Sequence, residues 1–111
     1  MTANEFRQIA LSLPEAVEGS HVGHPDFRVG GKVFASLGYP DDDHGAVMLR
    51  PEEQRKFIKQ QPAAFFPAAG AWGRRGATQL LLSKADIERA GRAIGSAWQN
   101  KAPKRLLAPD P

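Results

Sequence analysis

The sequence predicts an α+β domain, an antiparallel sheet of about five strands with helices packed on one face, in the order helix, strands, helix, one or two strands, helix. Three observations lead there. Apolar residues at helical spacing open the chain and return near its end, period-two alternation flanks Gly30-Gly31, and proline or glycine punctuates most of the boundaries between.

The elements follow in order. Thr2 with Glu5 forms a capping box, and Phe6, Ile9, Ala10 and Leu13 share one side of a helix over residues 3–12 that Pro14 ends. The stretch EAVEGSHV reads as a short edge strand. Next, DFRV and KVFASL flank the Gly-Gly pair, which supplies the two positive φ angles a primed hairpin turn needs. His24-Pro25-Asp26 is expected to shape a turn through local backbone bonds. The polar GYPDDDHG loop leads to a strand at 46–50, AVMLR. Pro51, Glu52 and Glu53 begin a short helix whose buried side is Phe57 and Ile58. A Pro/Ala/Gly-rich connection runs to TQLLL at 78–82, a buried strand, after which Ser83 is expected to cap a helix with Ile87, Ile94, Ala97 and Trp98 on its apolar side. A single domain over 1–107 is expected, with a mobile tail at 108–111, where prolines oppose both helix and strand.

The 111 residues suffice for one core. Hydrophobic residues at 41% and charged residues at 24% argue against a disordered or fibrous chain. The absence of cysteine excludes disulfides, thiolate nucleophiles and cysteine-bound zinc. No stretch approaches the roughly 20 apolar residues that span a bilayer, and no basic-then-apolar leader opens the chain, so no membrane partner is expected and the cytoplasm is the expected location. Charge is uneven: residues 1–50 hold four Lys/Arg against seven Asp/Glu, and residues 51–111 hold eleven against five. Halves of −3 and +6 fit an anionic partner for the second.

The densest chemistry lies in FPAAGAWGRRGATQLLL, where Arg74 and Arg75 stand between glycines beside Trp72. Gly73 and Gly76 admit positive φ, which predicts a tight turn presenting the arginine pair to phosphates. Arg28 and Lys32 astride the hairpin tip, with Lys101, Lys104 and Arg105 near the end, complete a basic set able to clamp phosphates. The ordinary alternative is solubility charge, with Arg28 paired to Asp26 or another carboxylate. The last helix mixes Arg89 and Arg92 with Glu88, the pattern of a solvated face and not of a recognition helix.

Other chemistries find little support. His21 and His24 are three apart, but Gly23 and Pro25 oppose the helix that would make that spacing a metal site. No serine sits in a GxSxG elbow, and neither glycine pair has the form of a phosphate loop. Trp98 lies in register with Ile87 and Ile94 and belongs to the core; Trp72 is assigned there too, though it sits where it could wall a groove. Phe65 and Phe66 are read as a packed anchor, and their exposure would instead mark a protein partner.

Taken in order, GSHVGHPDFRVGGKVFASLGYP, GAWGRRGAT and AWQNKAPKRL resemble the MmcQ/YjbR family of small bacterial proteins, from about Glu5 to Leu106. The resemblance implies a compact α+β fold around an antiparallel sheet, related to the secretion-chaperone architecture, and a DNA-binding role attributed to wing-like hairpins. It transfers no catalytic residue. The chain departs from the family pattern at Ala77, where relatives often carry a large aromatic, so stacking falls to Trp72. The expected function is a non-enzymatic module, without cofactor, that contacts DNA backbone phosphates through Arg28, Lys32, Trp72, Arg74, Arg75, Lys104 and Arg105. The alternatives are a protein-interaction or chaperone-like module with an apolar patch at Phe65, Phe66 and Trp72, and a small-ligand or catalytic cleft at His24, Asp26 and Arg28.

Overall fold

In the computed structural model, residues 1–107 are described; the tail expected at 108–111 lies outside them. The elements are α1 (Ala3–Ser12), β1 (Val17–His21), β2 (His24–Val29), β3 (Lys32–Leu37), β4 (His44–Met48), α2 (Pro51–Gln60), β5 (Phe65–Pro67), α3 (Gly70–Arg74), β6 (Ala77–Leu81), α4 (Ile87–Lys101) and α5 (Lys104–Leu107). Six strands form one antiparallel sheet in the order β1-β2-β3-β4-β6-β5.

Local chemistry accounts for most boundaries. Thr2 and Glu5 make the reciprocal capping box of α1. Gly30 and Gly31, at φ 58° and 80°, turn the β2–β3 hairpin. Pro51 opens α2, and Glu53 accepts from the Arg50 N–H. Asp86, not Ser83, caps α4: its carboxylate accepts the Arg89 N–H at 3.0 Å, and the helix starts after a turn that contains Ser83.

Cross-strand partners share a face, so the register sorts the sheet into two sides. Phe27, Ala35, Val47 and Thr78 form one row. That side joins Phe6 and Ala10 of α1 and Ala90, Ala93, Ile94, Ala97 and Trp98 of α4 in the core. Trp98 donates its indole N–H to the Pro14 carbonyl, tying α4 to the end of α1. The opposite row runs Gly19, Asp26, Ser36, Ala46, Gln79 and Phe66.

Several features differ from expectation. The connection after Pro62 contains β5, in which Phe65 is buried in the core. The arginine pair ends a helix, α3, instead of occupying a tight turn, and Gly73 is a helical residue seated against the Ala68 backbone. Gly76 alone has the expected positive φ, at 116°. His24, Pro25 and Asp26 lie within β2, the turn falling at Val22-Gly23, and β4 begins at His44, two residues before the expected start. Ile87 is 45% exposed and stands off the apolar side of α4.

Candidate functional site

The sheet side away from α1 and α4 carries a groove. Alternation along β2 places His24, Asp26 and Arg28 on that side together, so the strand itself aligns three polar side chains. Asp26 is fully buried and accepts from Arg28 Nε at 2.8 Å and Arg28 Nη2 at 2.9 Å, with His21 Nδ1 at 2.7 Å. The Arg28 guanidinium, then His21, hold its carboxyl below the usual carboxylate range. Arg28 is itself stabilised as a cation by Asp26. Both Asp26 oxygens are thus committed, while Arg28 Nη1 has no protein hydrogen bond among the described residues and its side chain remains 37% exposed.

Trp72 of α3 reaches over this face. It lines three cavities that share residues: one of about 240 Å³ with His21, Val22, His24, Ser36 and Tyr39; one of about 500 Å³ with Arg28, Val33, Met48 and Lys101; one of about 210 Å³ with Met48, Arg75 and Lys101. Together they fall within the usual size of a ligand site. Among the described residues Asp26 is the only carboxylate lining any of them, and it is buried and ion-paired. A separate hollow of about 500 Å³ between α2 and α4 mixes Lys56 and Arg92 with Glu53, and none of the basic set expected to grip phosphate reaches it.

Three backbone-anchored contacts place α3. The Ala68 carbonyl packs where a Gly73 side chain would stand, and Gln54, buried in α2, donates at 3.0 Å to both the Gly73 and Ala77 carbonyls. Trp72 consequently projects from a docked turn and stays 44% exposed, in contrast to the core position expected for it. The patch expected at Phe65, Phe66 and Trp72 is absent, because Phe65 is buried and Phe66 sits half-buried, edge-on to His44.

The expected contact set therefore divides. Arg28, Trp72 and Arg75 line the groove, joined by Lys101 from the end of α4. Arg74 is exposed but lines none of the three cavities. Lys32 pairs with Val29, a core residue, and so emerges on the helix side. Lys104 is exposed on α5, and Arg105 is clamped by both oxygens of Glu15 at 2.6 and 2.7 Å. His21, Val22 and Tyr39 had no place in the expected contact set, whereas His24, Asp26 and Arg28, expected as an alternative cleft, do line these cavities. Among the described residues no cluster of His, Cys, Asp or Glu has metal-holding geometry, and no helix is long and apolar enough to cross a membrane.

Sheet, helix layer and groove together define a small α+β domain with one face packed and the other hollowed around a tryptophan. The family model for YjbR matches residues 11–100, and the chain belongs to that family. Its fold is similar to the crystal structure of the Deinococcus radiodurans protein DR2400, described with the domain DUF419, at a TM-score of 0.76 and 17% identity over 98% of this chain and 90% of that one. No curated protein matches this chain.

Proposed function

We propose that this chain is a non-enzymatic nucleic-acid-binding module, and that DNA or RNA phosphates lie along the sheet groove and not on the hairpin tip or the C-terminus. The observation that carries this reading is the convergence of Arg28, Arg75 and Lys101 around Trp72, in a lining whose sole carboxylate among the described residues is paired with Arg28. The Asp26 cluster acts as scaffold: with both oxygens spent on Arg28 and His21, it fixes the guanidinium and leaves Nη1 for the ligand.

With Arg28 paired to Asp26, two uncompensated cations, Arg75 and Lys101, set the scale of the test. Counterion release makes the affinity fall with salt at a log–log slope of about −1.4 to −1.8, or about 7- to 12-fold between 50 and 200 mM. Fluorescence anisotropy with labelled oligonucleotides measures that slope. Arg75→Ala and Lys101→Ala should each flatten it by roughly 0.7–0.9. Arg105→Ala, whose partner is Glu15, should leave it unchanged. Absence of binding at low salt, or a slope indifferent to Arg75 and Lys101, refutes the proposal.

A further inference from the structure

The groove separates two kinds of surface, and that separation bears on the form of nucleic acid it receives. At one end stand flat rings: Trp72 and Tyr39 are 44% and 52% exposed, and His24 meets Tyr39 edge-on at 6.0 Å, with Val22 at the rim. At the other end stand the cations Arg28, Arg75 and Lys101. A nucleotide has the same division, an aromatic plane at one end and a phosphate at the other.

A stacked duplex cannot present its base planes to Trp72; it offers only base edges and phosphates. The β2–β3 hairpin is also poorly placed to enter a duplex groove: its Gly30 end abuts Pro103, and Lys32 emerges on the helix side. Single strands, by contrast, lie across sheet faces with bases on exposed aromatics and phosphates on neighbouring cations.

Val22 points the same way. It occupies the first central position of the β1–β2 turn at φ 49°, a conformation that β-branched side chains resist, and it is 91% exposed. Asparagine would suit this turn better. An apolar side chain held there, at the mouth of the ring-lined cavity, extends a wall against which a base edge can rest.

We infer that the groove binds single-stranded nucleic acid, one base lying against Trp72 with the His24–Tyr39 pair beside it, and with the adjoining phosphates held by Arg28, Arg75 and Lys101. This inference rests on the nucleic-acid reading above. The test compares a labelled oligothymidylate of about twelve nucleotides, within the usual span of a single-strand site, with a mixed-sequence duplex of equal length at low salt. The strand should bind at least tenfold more tightly. Trp72→Ala should weaken strand binding by about 10- to 100-fold, the worth of one stacked base, and Trp72→Phe should restore most of it. Circular dichroism of each variant verifies folding.

Duplex binding as tight as strand binding, with Arg75 and Lys101 still required, overturns the single-strand inference and leaves the phosphate reading standing. Strand binding indifferent to Trp72→Ala overturns it too. Displacement of the strand by thymidine monophosphate at equal concentration would mark a mononucleotide pocket and refute a strand site. Failure of both oligonucleotides to bind refutes the inference together with the reading beneath it.

Discussion

Gly73→Ala is the substitution that most directly probes how Trp72 is held. In an exposed helix interior this change stabilises by up to about 1 kcal/mol, because alanine loses less backbone entropy on folding. At Gly73 the sign reverses. The added carbon would lie 1.7 Å from the Ala68 carbonyl oxygen and 2.7 Å from its carbon, whereas real Cβ atoms keep beyond 3.0 Å. The obstacle is backbone, so no rotamer change relieves it, and α3 must move away from residue 68. Overpacking costs about 1–3 kcal/mol, and the Gln54 bond to the Gly73 carbonyl, worth about 1 kcal/mol, is strained with it. The expected loss is about 2–4 kcal/mol. Gly91→Ala in α4 provides the matched control: nothing lies within 4 Å of its added carbon, so a gain of about 0.5–1 kcal/mol is expected. Urea unfolding followed by far-ultraviolet circular dichroism measures both. Gly73→Ala protein as stable as wild type would refute the close approach that positions Trp72, and oligonucleotide binding retained in that variant would separate α3 from the site.

Asp26→Asn removes a buried charge from a partly exposed arginine, so the cost is discounted to about 1–2 kcal/mol in chemical denaturation at neutral pH. Because Asp26 has its folded pKa below the unfolded value of about 3.9, its stabilisation is complete above that pH and disappears as pH falls through the folded pKa. The gap in melting temperature between wild type and Asp26→Asn should therefore narrow as pH falls below about 3.9; a gap that stays constant from neutral pH down to pH 2 contradicts the ion-pair account. Val22→Asn should raise stability by about 1 kcal/mol through relief of the left-handed backbone while weakening strand binding, and a variant that changes neither refutes the role given to the turn. Phe6→Ala, at a fully buried position, should cost about 3–5 kcal/mol in the same unfolding assay; a loss under 1 kcal/mol would mean the α1 packing is not as described.

Elements with strong local chemistry were legible in the sequence: the Thr2–Glu5 box, the Gly30-Gly31 hairpin and the Pro51 start each act within a few residues. What escaped was held by distant contacts. Strand β5 is three residues ending in proline, too short for alternation to register, and it exists because Phe65 and Phe66 pair with Leu80 and Gln79. Helix α3 has poor intrinsic propensity, and its docking on Ala68 and Gln54 outweighs the glycine signal that predicted a turn. For the site, the basic residues were visible but their sidedness was not, since that depends on the register putting Lys32 beside Val29 and on Glu15 meeting Arg105 across ninety residues of chain. Trp72 and Trp98 look alike in composition; only the tertiary fold covers one and bares the other.

The lateral margins of the sheet are unequal. At one flank the terminal strand is three residues long and finishes in Pro67, whose ring nitrogen has no hydrogen to offer, so a stranger's backbone finds almost no ladder to continue. At the other flank β1 runs five residues with mostly exposed side chains. Any extended peptide, or another copy of this chain, that lengthens the sheet must therefore join beside Val17–His21. There its arrival would press on the same His21 that steadies Asp26.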